Sequence, residues 1–92
     1  MSQSHMLKTW DVYWDAIQRN EKLFEVRRDD RGFQKGDTLI LRRMKKDHNG
    51  IWREDRDPYD SSPRDLERKI TYILTGGQFG IEPGYVVMGL KK

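Results

Sequence analysis

The sequence predicts a mainly β fold at the border of α+β: a small barrel of five or six strands with one amphipathic helix after the first strand. Three observations carry that expectation. Most apolar residues fall in short runs of period two, turn chemistry separates those runs at close spacing, and only one stretch has helical period. Closure is expected because a short open sheet leaves unpaired edges.

The chain has 92 residues, enough for one domain with a modest core. Charged residues make up 36% and hydrophobic ones 35%, but the apolar positions are clustered, which favours folding over disorder. Absence of cysteine excludes disulfides and thiolate chemistry. The two histidines lack ligand-spaced partners, so neither a metal site nor a cofactor is expected. A net charge of +3, from 18 basic and 15 acidic side chains, is too small for a general nucleic-acid coat but compatible with a local basic patch. No apolar stretch has the length of a membrane span or a signal-peptide core, and the expectation is a soluble, cytoplasmic protein, with a monomer favoured.

Met1 to Ser4 reads as a frayed end or an expression remnant, and His5 to Lys8 as a short first strand. Trp10, Tyr13, Trp14 and Ile17 then stand at i, i+3, i+4 and i+7, an amphipathic helix whose three aromatics could form a base-stacking platform but are assigned to the core face. Thr9 is its expected N-cap, with Asp11 and Asp15 near the positive end of its dipole and Arg19 near the negative end. Asn20 stands where a left-handed residue commonly ends a helix.

Asn20 to Arg31 concentrates eight ionisable side chains in twelve positions. Within it, Leu23 to Arg27 alternates as a strand, with Phe24 and Val26 expected to anchor one face and Glu25 and Arg27 to look into a cleft from the other. Lys22 shares the parity of Phe24, and joins Glu25 only if it belongs to the turn. A loop through Arg28 to Gly36 leads to a strand, Thr38 to Arg43, expected to be central.

The most variable stretch is about 44–63. Asn49-Gly50 suits a tight hairpin pairing Arg42 to Lys46 with Ile51 to Arg53. Trp52 is either a cap on the barrel or an exposed stacking residue, and Ser62-Pro63-Arg64-Asp65 is either a helix start or a turn. Leu66 to Leu74 reads as a strand with Leu66, Ile70, Tyr72 and Leu74 on one face. Thr75 to Gly80 lacks the Lys-Ser/Thr ending of a phosphate loop and reads as an inter-strand connection before the last strand, Tyr85 to Leu90.

The run Asn20-Glu21-Lys22-Leu23-Phe24-Glu25-Val26-Arg27 resembles the Gly-x-Lys-x-x-Glu-x-Arg signature of ASCH (activating signal cointegrator homology) domains, of the PUA-like superfamily. A small bacterial and phage branch of unknown function is similar over residues 5–92, except about 44–62. It shares His5-x-Leu7-Lys8, Asp30-Arg31-x-Phe33, Gly36-Asp37, Thr71 to Leu74 and Gly84 to Val87. Asn20 replaces the signature glycine. The branch's Tyr-Thr-Gly-Arg is reduced to Ser61-Ser62-Pro63-Arg64, keeping the arginine.

The resemblance implies a PUA-like barrel whose cleft between helix and sheet faces RNA, a nucleotide or a nucleoside. The expected binding set is His5, Lys8, Lys22, Glu25, Arg27, Asp30, Arg31 and Arg64. Lys8, Lys22, Arg27 and Arg31 can donate to phosphate, while Glu25 and Asp30 can accept from a base edge or hold an arginine in place. An alternative is a hydrolase on acylated cytidine or RNA. Glu25 occupies the threonine position of related amidohydrolases, so Lys22 and Glu25 would have to activate water, with His5 as the only base available to a ribonuclease. A protein-interaction module is the third reading. Glu25 in place of a hydroxyl makes binding the leading one.

Overall fold

Leu39 and Leu41 are wholly buried at alternate positions of a nine-residue strand that lies in the interior of the sheet, paired on both sides. The computed structural model describes residues 2–92. In chain order the elements are β1 (Ser4–Trp10), α1 (Asp11–Gln18), β2 (Phe24–Arg28), β3 (Thr38–Lys46), β4 (Trp52–Glu54), β5 (Asp65–Thr75) and β6 (Tyr85–Lys91). The fold is mainly β with one short helix. Strand order is β1-β3-β5-β6-β2, with β4 paired to the far end of β3. β1 and β3 run parallel and the other pairs antiparallel. Leu7, Trp14, Ile17, Phe33, Leu39, Leu41, Ile70, Val86, Met88 and Leu90 form the core.

The ladder does not close into a barrel. β1 and β2, the two ends of the strand order, share no backbone pairing. Arginines fill the gap: Arg27 Nη2 donates to the Lys8 carbonyl at 2.9 Å and Arg31 Nη1 to the Met6 carbonyl at 2.7 Å. These side chains satisfy acceptors of the β1 edge that a neighbouring strand would otherwise take.

Several local expectations need correction. Gln3 and Ser4 are not frayed: Gln3 N donates to Asp37 Oδ1, its carbonyl accepts from Thr38 N, and Ser4 opens β1. Met1 lies outside the described residues. Thr9 is not the N-cap. Pairing with β3 continues through Trp10, which precedes the helix, while Thr9 is buried within β1. With that start, only Trp14 and Ile17 of the apolar face enter the core, and Trp14 Nε1 donates to the Leu41 carbonyl at 2.8 Å. Trp10 and Tyr13 are about half exposed.

The alternation expected for β2 holds, but its faces are reversed: Glu25 is buried, and Phe24 and Val26 are open. Glu25 pairs with Met88 and Val26 with Val87, so it is the carboxylate that shares the inward side with wholly buried Met88. In β5 the expected single face breaks at a register shift between Ile70 and Tyr72. The extra residue changes the parity, leaving Tyr72 exposed and packing Ile73 on the core.

Other readings match the structure. Asn20 has φ of 60°, and the Ala16 carbonyl accepts from both Glu21 N and Lys22 N as the helix ends. The Asn49-Gly50 turn joins β3 to β4, with Lys46 opposite Trp52. Residues 76–84 connect β5 to β6 without a helix. Ser62 to Asp65, by contrast, starts no helix and is not a turn either: Pro63 bridges antiparallel to Arg56, and Asp65 already opens β5.

Candidate functional site

The gap between β1 and β2 opens into a cleft of about 490 Å³ lined by Lys8, Thr9, Trp10, Tyr13, Lys22, Glu25, Val26 and Arg27. Its floor is an ion triad. Glu25 is 4% exposed; its Oε1 accepts from Lys22 Nζ at 2.6 Å and its Oε2 from Arg27 Nε at 2.8 Å. Burial of a carboxylate requires such partners, and two cations around one acid leave the cleft with a local positive excess.

Each member arrives by a different local device. Left-handed Asn20 turns the chain sharply, so Lys22 lies before β2 rather than in it and escapes the strand parity that would send it outward with Phe24. Its ammonium also donates to the Phe24 carbonyl at 2.8 Å and lies 5.4 Å from the centre of the Tyr13 ring. Glu25 points inward because β2 turns that face to the core. Arg27, two residues on, follows the same side and spans to β1, donating from Nη2 to Lys8 O and to Thr9 Oγ1 at 3.2 Å.

Donor capacity remains for a ligand. An ammonium has three protons and Lys22 commits two; a guanidinium has five, and Arg27 Nη1 takes no part in the bonds described. Trp10 and Tyr13 stand beside these donors with ring centroids 6.1 Å apart and planes 19° from parallel. The cleft thus combines cationic donors, one buried acceptor and an aromatic wall.

The structure brings Lys8, Lys22, Glu25 and Arg27 together and separates the other expected site residues from them. His5 does not face the cleft. It shares the inward parity of Leu7 and Thr9, its Nε2 lies 2.9 Å from Asp37 Oδ2, and its ring meets Phe33 edge-on. A buried pair within the core cannot act as a base on a bound ligand. Asp30 is exposed, 3.9 Å from Arg31 Nε, while Arg31 reaches β1 at Met6. Arg64 belongs to a second depression of about 330 Å³ with Trp14, Asp15, Gln18, Arg43 and Asp55. There Arg43 takes both oxygens of Asp15 at 2.9 Å and also pairs with Asp55, fastening α1 to the sheet. Hydrogen bonds from Arg43 hold the Asp15 carboxyl below its ordinary range.

Sequence reasoning missed Thr9, Trp10, Tyr13 and Val26 as cleft residues. The aromatic pair was visible but assigned to the core, because helical period places Trp10 and Tyr13 with Trp14 and Ile17 only if the helix begins before Trp10. Trp52 is a stacking residue, its indole lying 5.1 Å from that of Trp10 with planes 3° from parallel. Among the described residues no cluster of acidic and histidine side chains is arranged to hold a metal ion, and no helix is long and apolar enough to cross a membrane.

No curated protein matches the chain. The profile of DUF3850, a domain of unknown function, matches residues 4–90, and the chain therefore belongs to the DUF3850 family.

Proposed function

We propose that the chain is an ASCH-type, PUA-like domain of bacterial or phage origin that binds RNA or a nucleotide in the cleft between β1 and β2. The observation that carries this reading is the buried Glu25 held between Lys22 and Arg27 beside the Trp10 and Tyr13 rings. A base stacks on the aromatic wall, Lys22 and Arg27 donate to its phosphate or carbonyl oxygens, and Glu25 fixes both cations in place. The volume suits a single nucleotide unit.

Binding is favoured over hydrolysis by the same geometry. Both Glu25 oxygens already accept from cations, and His5 is committed to Asp37, so neither is presented free to take a proton from water.

The test is an amide chemical-shift titration with ribonucleoside monophosphates and short RNAs. Shifts are expected at residues 8–13 and 22–27, weakening with added salt. K22M is expected to lower affinity roughly tenfold or more, as the loss of a charge-assisted hydrogen bond does. Unchanged spectra across the panel would refute the reading, and turnover of an acylated cytidine abolished in K22M would replace it with the hydrolase.

A further inference from the structure

The outer face of the sheet carries apolar surface that the core does not account for. Met44 is 7% exposed yet stands apart from the core cluster, and strand alternation turns it to the side opposite Leu39 and Leu41. Its register partners are Trp10 on β1 and Glu54 on β4, and Trp52 lies two pairs along, opposite Lys46 and so on the same face. The stacked indoles of Trp10 and Trp52 come from the two strands flanking β3, on the face that also carries Met44. Trp10 remains 52% exposed in spite of that contact.

This aromatic surface is continuous with the cleft, because Trp10 also lines it together with Tyr13. Cations flank it. Lys8 stands two residues before Trp10 on the same face, and the Lys46 ammonium lies 5.2 Å from the Trp52 ring. Neither lysine is paired with a carboxylate among the described residues, whereas Arg42, Arg43, Arg53 and Arg56 around them all are. Register sets Lys8 opposite Arg42, four residues from Lys46 along β3, or about 13 Å at the usual rise per residue. A ligand confined to the cleft would leave Trp52 and Lys46 unused.

We infer that the Trp10–Trp52 face is a second stacking subsite and that the ligand is a single-stranded oligonucleotide, one base entering the cleft and the neighbouring nucleotide crossing the indoles with its phosphate on Lys46. Aromatic faces alternating with free cations are the means by which single strands are held, and a duplex has no unstacked base to offer them. The inference rests on the nucleotide reading of the cleft and extends it in ligand length.

The experiment compares ribonucleoside monophosphates with di-, tri- and tetraribonucleotides by tryptophan fluorescence titration, using wild type, W52A and K46Q. Affinity is expected to rise roughly tenfold or more from monophosphate to trinucleotide. W52A removes that gain. K46Q, a change on the exposed end of β3 that decides the matter if W52A folds poorly, lowers the gain several-fold and makes the salt dependence shallower by about 0.7 in log–log slope. Monophosphate binding with no gain on lengthening, or a full gain in both variants, overturns the second subsite while leaving the cleft reading intact. Failure of every ligand to bind overturns both.

Discussion

Arg27 on β2 donates from its Nη2 to the backbone carbonyl of Lys8 on β1 at 2.9 Å, across the gap between the two end strands of the sheet order, which are not laddered to each other. A side chain therefore does there what a strand edge does elsewhere. The same guanidinium grips Glu25 through Nε, so the element that holds the gap also builds the floor of the cleft. Architecture and candidate site share one residue.

Removing it should be costly. R27A leaves buried Glu25 with one cation instead of two and frees the Lys8 carbonyl, and a loss of about 2–3 kcal/mol in urea unfolding is expected. R27K keeps the charge but lacks the planar fork that reaches Glu25 and β1 together, so it should recover less than half of that loss. Stability of R27A within about 0.5 kcal/mol of wild type would show that the gap is held by other contacts.

Glu25 makes the opposite prediction for ligand and fold. E25Q keeps the shape but removes the charge that neutralises part of Lys22 and Arg27. Stability should fall by about 1–2 kcal/mol while affinity for a phosphate-bearing ligand rises, with a salt slope steeper by about 0.7. Loss of affinity together with stability would mean that Glu25 contacts the ligand itself.

Much of this was legible from residue order, and the failures have identifiable causes. Asn20 was readable as a left-handed helix end because few residues accept that conformation, and Leu39 and Leu41 because a strand buried on one face must alternate. The reversed faces of β2 were not readable. Alternation fixes parity alone, and Glu25 gains its inward place from Lys22 and Arg27, partners that depend on a turn and on a neighbouring strand. The bulge after Ile70 was equally hidden, since an inserted residue leaves no mark in composition. Trp10 and Tyr13 were placed in the core by a period that treats the strand-to-helix boundary as already known. The Trp10–Trp52 contact spans 42 positions in sequence and follows only from the pairing of β3 with both β1 and β4.

A pH prediction concerns the buried pair of His5 and Asp37. Burial pushes the Asp37 carboxyl up, but hydrogen bonds from Gln3 N, His5 and Gln34 N outweigh it and hold the group below its ordinary value. A carboxyl depressed in the folded state contributes stability above its unfolded value near pH 4, roughly, and that contribution is lost as pH falls through the lower folded value. D37N should therefore cost about 2 kcal/mol at neutral pH and flatten the stability profile below about pH 4. An acid limb as steep in D37N as in wild type would assign acid unfolding to other carboxylates.

The β5–β6 connection supplies a last prediction, in which two adjacent glycines separate close approach from backbone conformation. A Cβ on Gly76 would lie 2.0 Å from the Glu82 carbonyl oxygen and 2.7 Å from that of Tyr85, both backbone atoms that cannot swing aside. Gly77 has φ of 87°, but the nearest atom to its added Cβ is 3.9 Å away. G77A should thus cost only the left-handed strain, about 1–2 kcal/mol, and G76A about 3 kcal/mol. The larger effect reaches the cleft. Relief of the clash displaces the start of β6, and β6 sets β2 in register, with Met88 opposite Glu25. G76A should accordingly weaken nucleotide binding more than G77A does, as measured by the same titration at a temperature where both variants are folded. Equal stability of the two variants would show that the connection yields where the Gly76 contacts require it to be fixed.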